Sequence, residues 1–270
     1  MKTKLANHML LIVGAVIMIV PFIWMILTSL KSFSETMQVP PTIFPEEFKF
    51  ENYLNVFASV DFLKYYANTI FLTLGRTLVQ LFLCSLAAFA FARMNFPGKN
   101  TIFILILSVL MVPMQVILIP NYGILTQLGW IDTFYALIVP GMFSAFGVFL
   151  LRQFFMGIPK ELDEAATMDG CSFFGIYWRI ILPNATPALI ALGIFTILAS
   201  WNDFLWPLIM TSSEDMRVLS VGIAAFQGQY STDYPLLMAG AVMSTIPMLI
   251  MFIFLQKHLV TGIALQGVRR

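Results

Sequence analysis

Apolar positions in this chain come in long unbroken runs, with neither the alternation of a half-buried strand nor the single stripe of a soluble amphipathic helix. A helix needs about 20 mostly apolar residues to cross a bilayer core. Six runs meet that length: Met9–Leu30, Asn68–Ala92, Thr101–Ile119, Phe134–Leu151, Pro187–Met210 and Leu236–Gln256. The predicted fold is all-α and membrane-integral, with six transmembrane helices. The first run follows Lys2 and Lys4, exceeds a signal-peptide core, and has no small-x-small cleavage site after it. It is expected to be a retained anchor helix. The predicted organisation is an anchor and long outer loop over 1–67, a five-helix core over 68–257, and a tail over 258–270.

A polar stretch separates the fourth and fifth runs, giving a hairpin over 152–186. From Ile158 to Gly170 the spacing predicts a short helix. Pro159 suits a first helical turn, where its missing N–H has no intrahelical acceptor to lose. Glu161, Asp163 and Glu164 load that turn with negative charge, which the helix dipole favours. Gly170 can take the left-handed conformation that ends the helix. Leu162, Ala165, Ala166 and Asp169 are expected to share one face, with alanines small enough for another backbone to approach. Ser172 is placed to cap a second, nearly all-apolar helix over Phe173–Leu182, on which Trp178 is expected to pack.

Composition agrees with the runs: 59% of residues are hydrophobic and 11% charged, too apolar for a wetted globular surface. The net charge of +1 gives no reason to expect nucleic acid. Cys84 and Cys171 belong at different depths, so neither a disulfide nor a zinc site is expected. With the N-terminus inside, ten basic residues fall inside and four outside, the asymmetry of the positive-inside rule. Both termini and the hairpin are then predicted to be cytoplasmic, in a cell membrane of the bacterial inner or plasma type. Of the outer loops, 31–67 is long, with a short helix expected near Asn52–Phe57, while 120–133 and 211–235 are shorter.

Charge also bears on what the hairpin touches. Lys160 to Asp169 holds four acids and one base, so an anionic inner leaflet would repel it. It either docks a protein partner or only ties two spans together. Pro113, Pro140, Pro207 and Pro247 punctuate the spans, as static packing features or as hinges. Arg76, inside the second span, either anchors by reaching outward or lines a gate or path. Asp203, after Asn202, either caps a helix or makes a gate contact, and Arg76 and Asp203 are candidates for one ion pair. Trp24, Trp130, Trp201 and Trp206 fit an interfacial aromatic belt.

One ordered set of motifs goes further. Glu164-Ala165-Ala166-x-x-Asp169-Gly170 followed by Pro183 resembles the EAA loop of inner-membrane permeases of ATP-binding-cassette importers. Ala92-Arg93-x-x-Phe96-Pro97-Gly98-Lys99, Leu150-Leu151-Arg152-Gln153-Phe154-Phe155, Ile158-Pro159-x-Glu161-Leu162 and Trp201-Asn202-Asp203-Phe204-Leu205-Trp206-Pro207 are similar to motifs of the same family. The resemblance runs from Tyr53 to the C-terminus and is closest to the six-span maltose-transporter type, with the type I importer permease fold. It implies a second homologous permease, two cytoplasmic ATPase subunits and an extracytoplasmic sugar-binding protein as partners, besides membrane lipid. It implies that Glu164, Ala165, Ala166, Asp169 and Gly170 couple to the ATPase. A tail containing Gly262, Gly267 and Val268 would touch the ATPase, and Gln227, Gly228, Gln229 and Tyr230 would form a loop that reaches the binding protein. It also implies that the partner permease makes most sugar contacts. The chain has no Gly-x-x-x-x-Gly-Lys-Ser/Thr run. It is therefore expected to be no enzyme and to bind no cofactor, with ATP and magnesium held by the ATPase. The alternative is a transporter or channel that works alone; third is a membrane enzyme, which would want clustered His, Asp or Glu.

Overall fold

The computed structural model describes the backbone of residues 2–228 and 231–267, and the side chains of 7–228, 231–254 and Gln256. Its contacts group the chain into two compact units, one of residues 1–67 and 218–249, the other of 68–217 and 250–270.

The first unit opens with α1 (Lys2–Ser29), whose side chains from Asn7 to Trp24 are exposed all round, as suits a helix surrounded by lipid. Its C-terminal carbonyls are satisfied by side chains. Asn52 donates to the Ser29 and Lys31 carbonyls at 2.8 and 2.9 Å, and the Ser29 and Tyr53 hydroxyls meet at 2.8 Å. Lys31 donates to the Thr42 carbonyl and lies 5.0 Å from the Trp24 ring centroid. A capping box formed by Ser32 and Glu35 starts α2 (Phe33–Thr36). Burial alone would raise the Glu35 pKa, but backbone N–H donors from Glu46 and Ser32 outweigh it and hold the carboxyl low. The short helix expected in the 31–67 loop is α3 (Glu51–Ser59).

The second unit begins within α4 (Phe62–Arg93), a 32-residue helix without a proline. Its buried polar side chains include Asn68, Thr73, Thr77, Gln80 and Ser85. A turn through Gly98, at φ 73°, leads to α5 (Lys99–Ser108). A tight turn over Val109–Met111 precedes α6 (Met114–Gln127), and the two halves bend by 101°. This corrects the expectation of a span ending at Ile119 with a loop from Pro120, and it makes the bend expected of Pro113 a sharp one. Pro113 has no N–H to continue the helix and drives Val112 into extended backbone, whereas Pro120 is accommodated inside α6.

After Gly129, at φ 67°, come α7 (Phe134–Ile138) and, past a turn containing Pro140, α8 (Ala145–Met156), with a bend of 40°. The loop between α6 and α7 is clasped by Asp132. Its N–H donates to the Met210 carbonyl at 2.9 Å, and its Oδ1 accepts from Ser212 and Ser213 N–H at 2.9 and 3.0 Å. Burial would raise the Asp132 pKa, yet these donors leave it lowered. A carboxyl lowered in this way stabilises the fold above its unfolded pKa and loses that contribution as pH falls through the folded value.

The hairpin contains α9 (Glu161–Met168) and α10 (Phe173–Ile176), the latter capped by Ser172. A π-helical turn over Tyr177–Ile181 follows, then α11 (Leu182–Asn184) and, across a 76° bend, α12 (Thr186–Trp201). The second hairpin helix is thus three short pieces. It buries Ile176, Tyr177 and Ile181 and leaves Phe173, Phe174 and Trp178 exposed. Trp178 does not pack as expected: it is 53% exposed, in a T-shaped ring contact with Tyr177.

The fifth run also breaks, and its end is α13 (Leu205–Met210). Asn202 donates back to the Leu198 carbonyl at 2.8 Å, and Asp203 accepts from Trp206 N–H at 3.3 Å. Short polar side chains that bond nearby backbone in this way compete with a continuous helix. At the centre, Cys84, Val148, Leu151, Phe155, Ile181 and Leu192 join α4, α8, the π turn and α12. Gly147 permits that approach, since a Cβ there would lie 3.1 Å from Cys84 Sγ and 3.2 Å from Leu192. Both cysteines are free thiols.

The chain returns to the first unit with α14 (Leu219–Ala224), where Gly222 is packed directly on the buried Tyr65 ring. Then α15 (Tyr234–Gly267) runs on unbroken past Gln256 and accommodates Pro247. The predicted change from span to tail at 258 is not a helix end. By length and composition α1, α4 and α15 can each cross a membrane, and the three bent pairs bring the number of spans to as many as six.

Candidate functional site

The hairpin is organised at both ends of α9. Lys160 is its N-cap, with its carbonyl accepting from Asp163 and Glu164 N–H at 2.9 and 3.0 Å. Pro159 therefore lies just outside the first turn where it was expected. Glu161, Asp163 and Glu164 do fill that turn. At the other end Gly170 adopts φ 81°, Cys171 N–H bonds the Ala166 carbonyl at 2.9 Å, and Gly170 N–H bonds the Thr167 carbonyl at 3.0 Å. That pair of bonds is a Schellman motif, which needs a left-handed residue at Gly170.

The faces of α9 are not those the spacing predicted. Asp163 and Ala166, three residues apart, face the body of the second unit, and Ala166 is buried in its core. Leu162, Glu164, Ala165, Met168 and Asp169 are exposed. Ala166 therefore does not share the free face with Ala165. It belongs to the same buried cluster as Ile176 and Phe155.

The inner face is held by a group the sequence reading had not assigned a role. Arg93, the last residue of α4, places Nε 2.9 Å from Asp163 Oδ2, and its Nη2 donates to the Ile158 carbonyl at 2.8 Å. The Arg93 side chain is 4% exposed and that of Asp163 19%. The Nε–H points off the line to the carboxylate, so the contact is an ion pair without a well-aligned hydrogen bond. Burial pushes the Asp163 pKa up; Arg93 pulls it back, Glu164 pushes it up and Lys160 lowers it, and the net shift is upward. Arg152 supports the same end of the unit, donating to the Phe91 carbonyl at 3.2 Å and lying 4.2 Å from the Phe103 ring centroid. Beside the clamp is a cavity of about 450 Å³, lined by Phe89, Arg93, Asp163, Glu164, Thr167 and Met168, among others. One signal for Arg93 was available: a basic residue closing a long apolar helix needs a partner if it is buried.

A second cavity, of about 490 Å³, opens among the spans of the same unit. Arg76 lines it, 3.5 Å from Asp203, so the candidate pair is present. Its guanidinium lies over Gly141, where an added Cβ would be 2.3 Å from Nε. Gln80 donates to Thr196 at 3.1 Å on the same wall. Asn202 is not on that wall; it is exposed and bonded to its own helix. Trp201 and Trp206 are buried, and Trp206 donates to the Ala136 carbonyl at 3.0 Å, so neither forms part of an exposed aromatic belt. In the other unit, Gln227 pairs with Thr232 in an isolated bridge, and Gly228 packs on the Ser231 carbonyl. Gln229 and Tyr230 lie outside the described residues, as does Val268. Gly262 and Gly267 fall on the last turns of α15.

The sequence profile described as "Binding-protein-dependent transport system inner membrane component" matches residues 80–264. The chain belongs to this family. The matched stretch takes in the hairpin, the Arg93 clamp and most of the cavity wall, and starts after α1. Two related inner-membrane components are arabinooligosaccharides transport system permease proteins AraQ. The one from Bacillus subtilis is 37% identical over 253 residues, covering 92% of this chain and 90% of the relative. The one from Halalkalibacterium halodurans is 33% identical over 275 residues, covering 99% of both. A chain of a bacterial ABC transporter that imports the acidic polysaccharide alginate has the same fold, with a TM-score of 0.83 and 24% identity over 94% of this chain and 95% of that one.

Proposed function

We propose that this permease is the membrane subunit of an ATP-driven sugar importer, and that α9 is the element on which an ATPase subunit docks. The observation that carries the reading is the division of α9 into two faces. Asp163 and Ala166 fix it to the second unit, while Leu162, Glu164, Ala165, Met168 and Asp169 remain exposed. A helix anchored by an ion pair and a Schellman turn, yet bare on its outer face, can transmit a push. The positive-inside asymmetry supports a cytoplasmic position for that face, where ATP is available. The relatives named for arabinooligosaccharides and alginate support a saccharide as cargo.

In this account a second homologous permease completes the path and two ATPase subunits hold the ATP and magnesium. A sugar-loaded binding protein engages the outer side, with Gln227–Tyr230 as the candidate contact; Gly262, Gly267 and Val268 are candidates for a further ATPase contact. ATP binding draws the coupling helices together. The permease pair is then a two-state element biased from both sides, and only the state favoured by both ligands opens outward. Co-expression of this chain with the other subunits of its transporter should yield a complex containing an ATPase. Hydrolysis by that complex should rise at least about fivefold, roughly 1 kcal/mol of coupling, when loaded binding protein is added. A chain that purifies without an ATPase and moves sugar alone would overturn the reading.

A further inference from the structure

We infer that the 490 Å³ cavity of the second unit is a subsite for a neutral saccharide carried by this chain itself, with Gln80 and Asn121 as its hydrogen-bonding residues. The inference rests on the importer reading and adds a site to it, since the family resemblance assigns most sugar contacts to the partner permease.

The chemistry of the walls selects the class of ligand. Five polar side chains line the cavity: Arg76, Gln80, Asn121, Ser144 and Thr196. The one charged group among them, Arg76, is partly offset by Asp203 at 3.5 Å, which weakens its pull on an anion. The others are amides and hydroxyls, which present donors and acceptors side by side. Sugar hydroxyls, which donate and accept at once, are complementary to such a set. Gln80 uses one N–H on Thr196, whose hydroxyl is in turn bonded to the Leu192 carbonyl. The Asn121 amide has no protein partner among the described residues. The remaining wall includes the rings of Phe143, Phe146, Phe195 and Trp206, apolar surfaces for the C–H faces of a sugar ring. The volume lies within the range of about 300–1,000 Å³ usual for small-molecule sites.

The cavity is also tied to the hairpin. Arg76 and Gln80 lie on α4, the same proline-free helix whose last residue, Arg93, grips α9. Seventeen residues separate Arg76 from Arg93, about 25 Å at helical rise. A displacement of the hairpin therefore reaches the subsite through one helix.

The test uses the whole importer in proteoliposomes. The binding protein is first screened by thermal shift against arabino-, malto- and cello-oligosaccharides and against uronate oligosaccharides. The sugar it binds is then the probe for uptake and ATP hydrolysis by wild type, Gln80→Leu, Asn121→Leu and Leu78→Ala, the last an exposed position on α4 outside the cavity. Sugar moved per ATP hydrolysed should fall at least tenfold in each cavity variant and stay at the wild-type value in Leu78→Ala. Asn121→Ser, which returns a hydroxyl, should recover part of the loss. An unchanged ratio in both cavity variants, an equal fall in Leu78→Ala, or a binding protein that takes only uronates would overturn the subsite. A wild-type complex whose hydrolysis ignores the loaded binding protein would instead overturn the importer reading.

Discussion

Glu164→Lys is expected to abolish ATP-driven uptake while leaving the chain folded in the membrane. Glu164 is exposed in the first turn of α9, so its replacement disturbs no core packing. The new charge acts at the docking face. It replaces an anion favoured by the helix N-terminus with a disfavoured cation, and it meets whatever basic groups the ATPase presents to this acidic tip. Like charges juxtaposed in an interface cost several kcal/mol, and about 3 kcal/mol corresponds to more than a hundredfold weaker association. Co-purification of the ATPase from membranes containing normal amounts of the variant checks this. Normal recovery of ATPase together with normal uptake would remove Glu164 from the interface.

Arg93→Ala is expected to lower uptake by a different route, at least tenfold, with the ATPase still bound. Arg93 touches only the inner side of α9, so the docking face remains. What is lost is the grip between α9 and α4: the ion pair with Asp163 and the bond to the Ile158 carbonyl. Removing one partner of a buried pair costs about 3–5 kcal/mol; the partial exposure of Asp163 lowers this to roughly 1–3 kcal/mol. Asp163 already has a raised pKa because burial disfavours its charge. An acid raised in this way favours the folded state below its unfolded pKa and loses that contribution as pH rises through the folded value. Without Arg93 the penalty on charged Asp163 grows, so the defect should be deeper above the folded pKa of Asp163 than below it. Asp163→Asn added to Arg93→Ala should restore stability but not uptake, because the amide relieves the stranded charge without rebuilding the ion pair. ATP hydrolysis that runs on without sugar movement is the expected signature. Equal stability of the single and double variants, with uptake intact, would show that the pair has no such role.

The contrast between these variants follows from what the sequence could and could not reveal. Length and hydropathy identified α1, α4 and α15, because a long apolar run in lipid has no alternative to a helix. Pro113 marked where the third run could bend but not by how much, and the break at Asn202–Asp203 was not marked at all. A run of apolar residues reads the same whether or not its helix turns, and the break depends on one absent N–H or on Asx side chains claiming local backbone. In the hairpin, Gly170 and the acidic first turn were legible from local rules of helix ends. The two-faced use of α9 was not, since Ala165 and Ala166 are chemically identical and only tertiary packing decides which is buried. Arg93 and Asp163 are 70 residues apart, and no periodicity joins them. The Arg76–Asp203 pair was legible for a simple reason: few charges lie that deep, and each needs a partner.

The central claim is that the outer face of α9, and not its inner face, meets the ATPase. Cysteine cross-linking in the assembled importer tests it directly. In a Cys171→Ser background, where the remaining Cys84 is buried, single cysteines at Ala165 and at Ala166 differ by one residue in sequence and by their side of the helix. Ala165→Cys is expected to cross-link to the ATPase subunit, with a yield that changes when ATP binds, and Ala166→Cys is not. Cross-linking from Ala166→Cys but not from Ala165→Cys, or from neither, would contradict it.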